Sequence, residues 1–260
     1  MLRVFTRGSE GGNHLGVVHD VTGLSDERMQ GIAADLGFSE TVFLDWRETG
    51  MPHARIFTPA RELPFAGHPL VGAAWSLSTL GPGTVGRMTC GVGEIPFRMD
   101  DGLAWVDTPM VDDVRPADGA DRLMSAAGLP PPDRAWWANM PIPYLVALYD
   151  SPEPVSQAVP VAEALDSAGL DMCYLAHRSG DGAKVRFFAP EAGILEDPAT
   201  GSAAAALAAV LRFDGEPEGS LHITQGDEIG HPCDIHLRWG ATAASLGGTV
   251  AHDEIREIEY

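Results

Sequence analysis

One acidic residue, Glu40, stands at the start of a segment whose other residues are typical of a buried β-strand, GFSETVFL at positions 37–44. A carboxylate buried at such a point destabilises a fold by several kcal/mol unless its proton affinity rises. A carboxyl group with a raised pKa is suited to general acid/base catalysis near neutral pH. The pattern therefore favours Glu40 as a candidate acid/base, and the alternative is a solvated glutamate at the beginning of a strand.

Two glycines, Gly67 and Gly201, each open an alanine-rich segment typical of a helix, in ELPFAGHPLVGAAW at 62–75 and EDPATGSAAAAL at 196–207. The free N–H groups and the positive dipole end of a helix start form an anion site without any basic side chain. No Lys lies in either loop and the P-loop spacing is absent, so we expect a small carboxylate rather than a phosphate. The alternative is that both are simply capped helix starts.

The two helix starts belong to a repeat that spans both halves of the chain. The segment RIFTP at 55–59 matches RFFAP at 186–190, and the glycine loops follow each of them. Upstream, GFSETVF at 37–43 matches GLDMCYL at 169–175, and residues 15–20 stand in the place of residues 145–150. Four blocks in register at nearly one offset indicate an internal duplication.

The duplication predicts an α+β fold with two pseudo-symmetric lobes, residues 1–115 and 116–260. We expect each lobe to be a mixed β-sheet or barrel wrapped around a central helix, because the helices from about Gly67 to Leu77 and from about Gly201 to Leu211 carry small residues on every face. The boundary is expected in the Pro- and Asp-rich stretch 111–133. A pseudo-twofold axis then places Gly67 and Gly201 opposite each other across a cleft that holds the ligand.

Three polar residues break the repeat. Apolar residues must match for both lobes to pack, whereas an unmatched polar residue indicates a role that only one half performs. The unmatched positions are Glu40 against Met172, His68 against Ser202, and Asp197 against Leu63.

The charge of the chain limits its partners. Its 260 residues include 17 basic and 37 acidic residues, which gives a net charge of −20 and a pI near 4.6. A field of this sign repels nucleic acid and anionic membrane surfaces. No stretch approaches the ~20 apolar residues of a membrane span and the first residues lack the apolar core of a signal peptide, so we expect a cytoplasmic protein.

The cysteines and histidines give no sign of a disulfide framework or a metal centre. Cys90, Cys173 and Cys233 are too few and too scattered for paired disulfides. The alternation of His231, Cys233 and His236 could face a metal, but a fourth ligand is missing nearby, so we expect no metal site.

Three segments together resemble the PhzF-like family of phenazine biosynthesis, which shares the diaminopimelate epimerase fold. They are FTPARELPFAGHP at 57–69, SETVF at 39–43 and EDPATGSA at 196–203, of which the last is the most specific. The resemblance covers nearly the whole chain. It implies a homodimer of two-lobed subunits, each with a closed cleft and no cofactor. The phenazine enzyme of the family isomerises a dihydro-hydroxyanthranilate by an allylic proton shift.

The resemblance also implies roles for individual residues. The family's proton-shuttling glutamate falls on Glu40. The residues that polarise the substrate and hold its carboxylate fall on His68, Asp197 and Ser202, with backbone N–H groups around Gly67 and Gly201.

The reaction class follows from what the helix starts lack. The sister enzymes diaminopimelate epimerase and proline racemase use paired cysteines, one at each helix start, but neither start has one here and Cys90 lies on a later strand. We therefore expect a cofactor-independent isomerase in which Glu40 removes a proton from a small carboxylate-bearing substrate and returns it at a different atom. A non-catalytic small-acid-binding protein and a cofactor-free lyase or hydrolase remain as alternatives. We expect the loops at 136–137 and 141–143 to line the cleft.

Overall fold

Eighteen β-strands and six α-helices make up the part of the chain that the computed structural model describes, residues 1–46, 51–79, 86–109, 111–140, 142–190 and 193–255. The first half consists of β1 (Leu2–Val4), β2 (Asn13–Val18), α1 (Asp26–Leu36), β3 (Glu40–Asp45), β4 (His53–Phe57), β5 (Glu62–Leu63), α2 (Gly67–Thr79), β6 (Arg87–Cys90), β7 (Gly93–Asp100), β8 (Leu103–Pro109) and β9 (Val114–Pro116). The second half consists of α3 (Ala120–Ala126), β10 (Arg134–Met140), β11 (Ile142–Tyr149), α4 (Glu153–Gln157), α5 (Ala162–Ala168), β12 (Cys173–Ser179), β13 (Gly182–Ala189), β14 (Ile194–Asp197), α6 (Gly201–Phe213), β15 (Gly219–Gln225), β16 (Cys233–Trp239), β17 (Ala243–Gly248) and β18 (Val250–His252).

The strands form one large mixed sheet that packs around α2 and α6. Both helices are buried along most of their length, and every residue of α6 from Gly201 to Leu211 is inaccessible or nearly so. Alanine and glycine at these positions let the strands approach the helix on all sides, because a small side chain leaves room for a neighbour at every face. The expected α+β class with central helices is confirmed.

Strand pairing shows that the two halves repeat the same connections. In the first half β2 is parallel to β3, and β4 is antiparallel to both β3 and β5. In the second half β11 is parallel to β12, and β13 is antiparallel to both β12 and β14. The register pairs Thr41 with Phe57 and Cys173 with Phe188. Since Phe57 and Phe188 occupy matching places, the residues before Thr41 and Cys173, Glu40 and Met172, also match, as expected.

One block of the sequence alignment is wrong by one residue. Gly16 pairs with Thr41, and Leu145 pairs with Cys173. Leu15 therefore matches Tyr144 and not Leu145. The physical reason is the alternation of side chains along a strand, which makes a one-residue shift exchange the two faces of the sheet. Leu15 and Tyr144 both face the central core, whereas Leu145 packs in a second cluster under α3 and α5.

An arginine–glutamate pair is repeated in both halves. Arg55 makes two hydrogen bonds to Glu62, of 2.8 and 2.7 Å, and Arg186 makes two to Glu196, of 2.8 and 2.6 Å. Each guanidinium also lies over the ring of the phenylalanine two residues later, at 5.1 and 5.0 Å. Matched bidentate pairs on matched strands are independent support for the duplication.

Three strand pairings cross between the halves. β8 pairs with β17, β9 pairs with β10, and β1 pairs with β18. The expected boundary after residue 115 falls within β9, so the division into residues 1–115 and 116–260 stays a prediction. None of the described helices is both long and apolar enough to cross a membrane.

Candidate active site

The two central helices begin in contact with each other. A Cβ atom on Gly67 would lie 2.6 Å from the Cα of Gly201, and a Cβ atom on Gly201 would lie 2.9 Å from the Cα of Gly67. Real Cβ atoms do not approach a backbone this closely, so only glycine fits at these two positions. The helix starts therefore lie opposite each other, as expected, but they are in direct contact and the expected cleft does not separate them.

A cavity of about 640 Å³ lies beside this contact, a volume suited to a small organic molecule. Of the predicted site residues, Glu40, Asp197 and Ser202 line it. Gly67, Gly201 and His68 are not among the described residues that line it, and His68 contacts Glu40 instead. Its remaining walls are largely apolar and include Leu63, Phe65, Met140, Ile142, Met172 and Phe187. The arrangement joins a few polar groups to an apolar surface, as a site for a small ring-shaped acid requires.

Glu40 is the first residue of β3, and its carboxyl group is buried at the cavity wall. Its Oε2 has no hydrogen-bond partner among the described residues, and the Nδ1 atom of His68 lies 3.4 Å away. Burial raises the pKa of Glu40 to about 7. Burial also lowers the pKa of His68, the second residue of α2, to about 4. Near neutral pH the imidazole is therefore uncharged, and the contact is not an ion pair.

Asp197 reaches the same cavity from the second half, at the end of β14. Its Oδ1 accepts a hydrogen bond of 2.9 Å from Asn13 Nδ2, and its Oδ2 accepts one of 2.6 Å from Thr200 Oγ1. Burial, followed by the charge of Glu40, raises the pKa of Asp197 to about 7. Because the two carboxyl groups interact, they titrate as a pair and share fewer than two negative charges near neutral pH.

A buried glutamine, Gln225 of β15, holds the loop that carries Asp197. Its Nε2 donates to the carbonyl oxygen of Asp197 at 2.8 Å and to Thr200 Oγ1 at 3.0 Å. Its Oε1 accepts from the backbone N–H of Thr200 at 3.2 Å. All polar atoms of this amide are thereby used to fix the entrance of α6.

Asn13, a site residue that the sequence did not reveal, connects the two halves. From the first position of β2 its Nδ2 donates to Asp197 Oδ1 and lies 3.4 Å from His68 Nδ1, while its Oδ1 accepts from Ser39 Oγ at 3.1 Å. The side chain is buried. The available signal was its asymmetry, since Ile142 occupies the matching position of the second half.

Ser202, the second residue of α6, has a partner that the sequence also did not reveal. The hydroxyl of Tyr144, on β11, donates to Ser202 Oγ at 3.0 Å, and both groups are buried. Burial raises the pKa of Tyr144 to about 12, so the phenol keeps its proton at neutral pH.

The loops expected to line the cleft do so only in part. Trp136 and Trp137 belong to β10 but are not among the described residues that line the cavity, because only the end of that strand, at Met140, reaches it. Ile142 and Pro143 do line it, and Pro141 lies outside the described residues. A basic side chain, Arg61, is also present on the cavity wall, although neither helix start carries one.

The three cysteines are free and buried, and none of them is among the described residues that line the cavity. Burial raises the pKa of Cys233 to about 12 and raises the pKa values of Cys90 and Cys173 as well, so none is a thiolate near neutral pH. Among the residues with described positions, no group of three or more His, Cys, Asp or Glu side chains could hold a metal ion. His236 instead stacks on His222 at 4.9 Å.

Comparison with known proteins agrees with this geometry. The family model described as phenazine biosynthesis-like protein, PhzC-PhzF, matches residues 2–250. A trans-2,3-dihydro-3-hydroxyanthranilate isomerase from Pseudomonas chlororaphis is 34% identical over 90% of this chain and 87% of its own length.

Two solved structures show the same fold. A phenazine biosynthesis protein of the PhzF family from Bacillus anthracis has a TM-score of 0.81 at 22% identity, over 96% of this chain and 94% of its own. A probable proline racemase from Agrobacterium radiobacter has a TM-score of 0.67 at 9% identity, over 99% of this chain and 91% of its own. The matched family model, together with the curated relative, shows that this chain belongs to the PhzC-PhzF family of phenazine biosynthesis-like proteins.

Proposed function

We propose that this chain, an isomerase by its family, shifts a proton within a small carboxylate-bearing substrate, with Glu40 as the acid/base and without a cofactor. The observation that carries the proposal is the Glu40 carboxyl group, which is buried at the wall of the cavity with its Oε2 unpartnered among the described residues. A buried hydrogen-bond acceptor without a partner destabilises the fold, so its presence favours a function for Glu40. Acceptance of a proton from a substrate C–H bond beside it would be such a function.

The pKa of Glu40 suits both halves of a proton shift. At a pKa of about 7, the carboxylate and the carboxylic acid are both populated near neutral pH. In the first step the carboxylate takes a proton from a substrate carbon, and the electron pair of that C–H bond enters the conjugated system. In the second step the same carboxyl group gives the proton to a different carbon of that system, so the product is an isomer and Glu40 is restored.

The groups around Glu40 supply binding and charge stabilisation. The neutral His68 does not line the cavity and would act through Glu40, whose Oε2 lies 3.4 Å from its Nδ1. Asp197 is held facing the cavity by its two hydrogen bonds and would stabilise charge that develops on the substrate. The carboxylate of the substrate would lie against Ser202 and the backbone N–H groups at the starts of α2 and α6. The apolar walls, including Phe187 and Met172, would pack against its ring.

The experiment is a proton-exchange assay in heavy water. We take trans-2,3-dihydro-3-hydroxyanthranilate, named for the Pseudomonas chlororaphis relative, as the first candidate substrate. Incubation should give an isomer of unchanged connectivity of the heavy atoms, with deuterium at the carbon that receives the proton. Glu94→Gln, at an exposed site paired with Arg87, is a charge-matched control that should keep full turnover.

Other results would point to the alternatives. Tight binding of small acids with no deuterium exchange in any of a panel of aromatic and alicyclic acids would indicate a binding protein. A change of product mass beyond isotope exchange would indicate a lyase or hydrolase. Light scattering tests a further proposal, drawn from the family resemblance, that the subunit forms a homodimer.

A further inference from the structure

We propose that Tyr144 is a positioning residue that turns the hydroxyl of Ser202 toward the substrate carboxylate. This inference rests on the proposed function, because that function places the carboxylate at Ser202. Tyr144 itself is assigned no contact with the reacting atoms.

The hydrogen-bonding capacity of the Tyr144 and Ser202 hydroxyl groups decides which of them donates the hydrogen bond between them. A serine hydroxyl has one hydrogen to donate and two lone pairs to accept with. The Tyr144 hydroxyl lies 3.0 Å from Ser202 Oγ and has no other acceptor among the described residues. The phenol is the stronger acid of the two and donates, so that one lone pair of Ser202 Oγ is occupied and its hydrogen stays available.

Ser202 does not use that hydrogen within its own helix. A serine in a helix often donates to the carbonyl oxygen four residues earlier, which here belongs to Pro198. No such bond forms, and the backbone N–H of Ser202 has no partner in the described part of the chain either. Since Ser202 lines the cavity, one residue offers two unused donors at its wall, as recognition of a carboxylate requires.

Comparison of the two halves indicates that the fold does not need the hydroxyl group of Tyr144 for packing. Tyr144 matches Leu15 in the first half, and Ser202 matches His68. Leu15 is fully buried and fills its place in the core without any hydroxyl group. The position therefore needs an apolar body for packing, and the oxygen of Tyr144 serves Ser202.

Tyr174 provides a matched control on the neighbouring strand β12. Its ring is fully buried, its hydroxyl has no partner in the described structure, and its centroid lies 6.2 Å from that of Phe187. The ring of Tyr144 lies 5.8 Å from the same phenylalanine. Tyr144→Phe and Tyr174→Phe thus remove one oxygen each from similar surroundings, but only the first oxygen contacts Ser202.

The test is a double-mutant cycle read out by the binding of anthranilate, a fluorescent aromatic carboxylate. Tyr144→Phe should weaken the anthranilate Kd about two- to tenfold, which is the effect of one hydrogen bond. In a Ser202→Ala background the same substitution should change the Kd little, because the hydroxyl that Tyr144 orients is gone. Tyr174→Phe should leave the Kd unchanged.

Two results would overturn the inference. An equal loss of affinity from Tyr144→Phe in both backgrounds would mean that Tyr144 acts on its own or through packing. A wild-type protein that binds no anthranilate would mean that Ser202 forms no carboxylate subsite. Failure of the proposed function looks different: anthranilate would bind with the expected coupling, while no substrate exchanges deuterium.

Discussion

Replacing Glu40 by Gln removes one ionisable group while it keeps the size of the side chain, and it should change stability and turnover in opposite directions. The pKa of Glu40 rises from 4.5 to about 7 in the folded protein. The folded state therefore holds this proton more tightly than the unfolded chain does, and the wild type loses stability as pH rises through that interval. The rise of pKa corresponds to a loss of about 3 kcal/mol, complete above pH ~7.

The measurement is urea unfolding of wild type and Glu40→Gln at about pH 5 and about pH 8.5. The variant lacks the titrating group, so its stability relative to wild type should increase by about 2.5 kcal/mol between these two conditions, because a smaller part of the loss already occurs below pH 5. The lowered pKa of His68 acts with the opposite sign, since it removes stability as pH falls toward 4, but it is present in both proteins and largely cancels. Removal of the Glu40 charge also eases ionisation of Asp197, which adds to the gain at high pH.

Turnover should fall in the same variant by a factor of about 100 to 10,000, the usual effect of losing a general acid/base, while anthranilate affinity persists. A stability difference that does not vary with pH would refute the assignment of a raised pKa to Glu40. Near-normal turnover of Glu40→Gln on an identified substrate would mean that Asp197 or His68 moves the proton.

Three further predictions test the scaffold. Arg186→Met should lower the free energy of unfolding by about 3–5 kcal/mol, because it leaves Glu196 charged and buried. Arg55→Met, at the more exposed copy of the pair, should lower it by only about 1 kcal/mol. Similar losses of stability in the two variants would contradict this prediction. Gly67→Ala should destabilise by about 1–3 kcal/mol and weaken anthranilate binding, since its Cβ would meet the other helix, whereas Gly31→Ala in α1 has open space and should not destabilise. A variant without Cys90, Cys173 and Cys233 should keep its turnover. Loss of turnover in a folded variant that lacks Cys90 alone would show that the base is misassigned.

The fold could be predicted because the residues that recur in the two halves are ones that determine core packing and turns. Arginine, phenylalanine and proline recur at matching places, and the structure uses the arginines Arg55 and Arg186 and the phenylalanines beneath them in the same way in both halves. The one-residue error in the alignment at Leu15 shows that the exact register of a strand could not be predicted in this way. An apolar strand such as LGVV carries no local marker that fixes its register to one residue, and only the sheet decides which side faces the core.

The partners of the site residues could not be predicted, because tertiary packing brings them together. Asn13 lies 184 residues before Asp197 in the chain, and Tyr144 lies 58 residues before Ser202. A lone asparagine or tyrosine at the start of a strand is common and indicates no particular contact. Asn13 becomes significant only when the two halves meet and bring β2 beside Asp197, and Tyr144 only when β11 packs beside the start of α6.

Within the proposed function, the residue that matches Glu40 in the second half favours a proton shift over inversion of a stereocentre. Inversion with two bases requires acid/base groups on opposite sides of the substrate. Met172 occupies the place that the repeat assigns to a second such group, and it lines the same cavity with a thioether that cannot carry a proton. Asp197 remains as a carboxyl group, but both of its oxygens already accept hydrogen bonds, whereas Oε2 of Glu40 accepts none among the described residues. A single free acid can return a proton only to the side from which it took it, and this favours migration of the proton along one face of a conjugated ring.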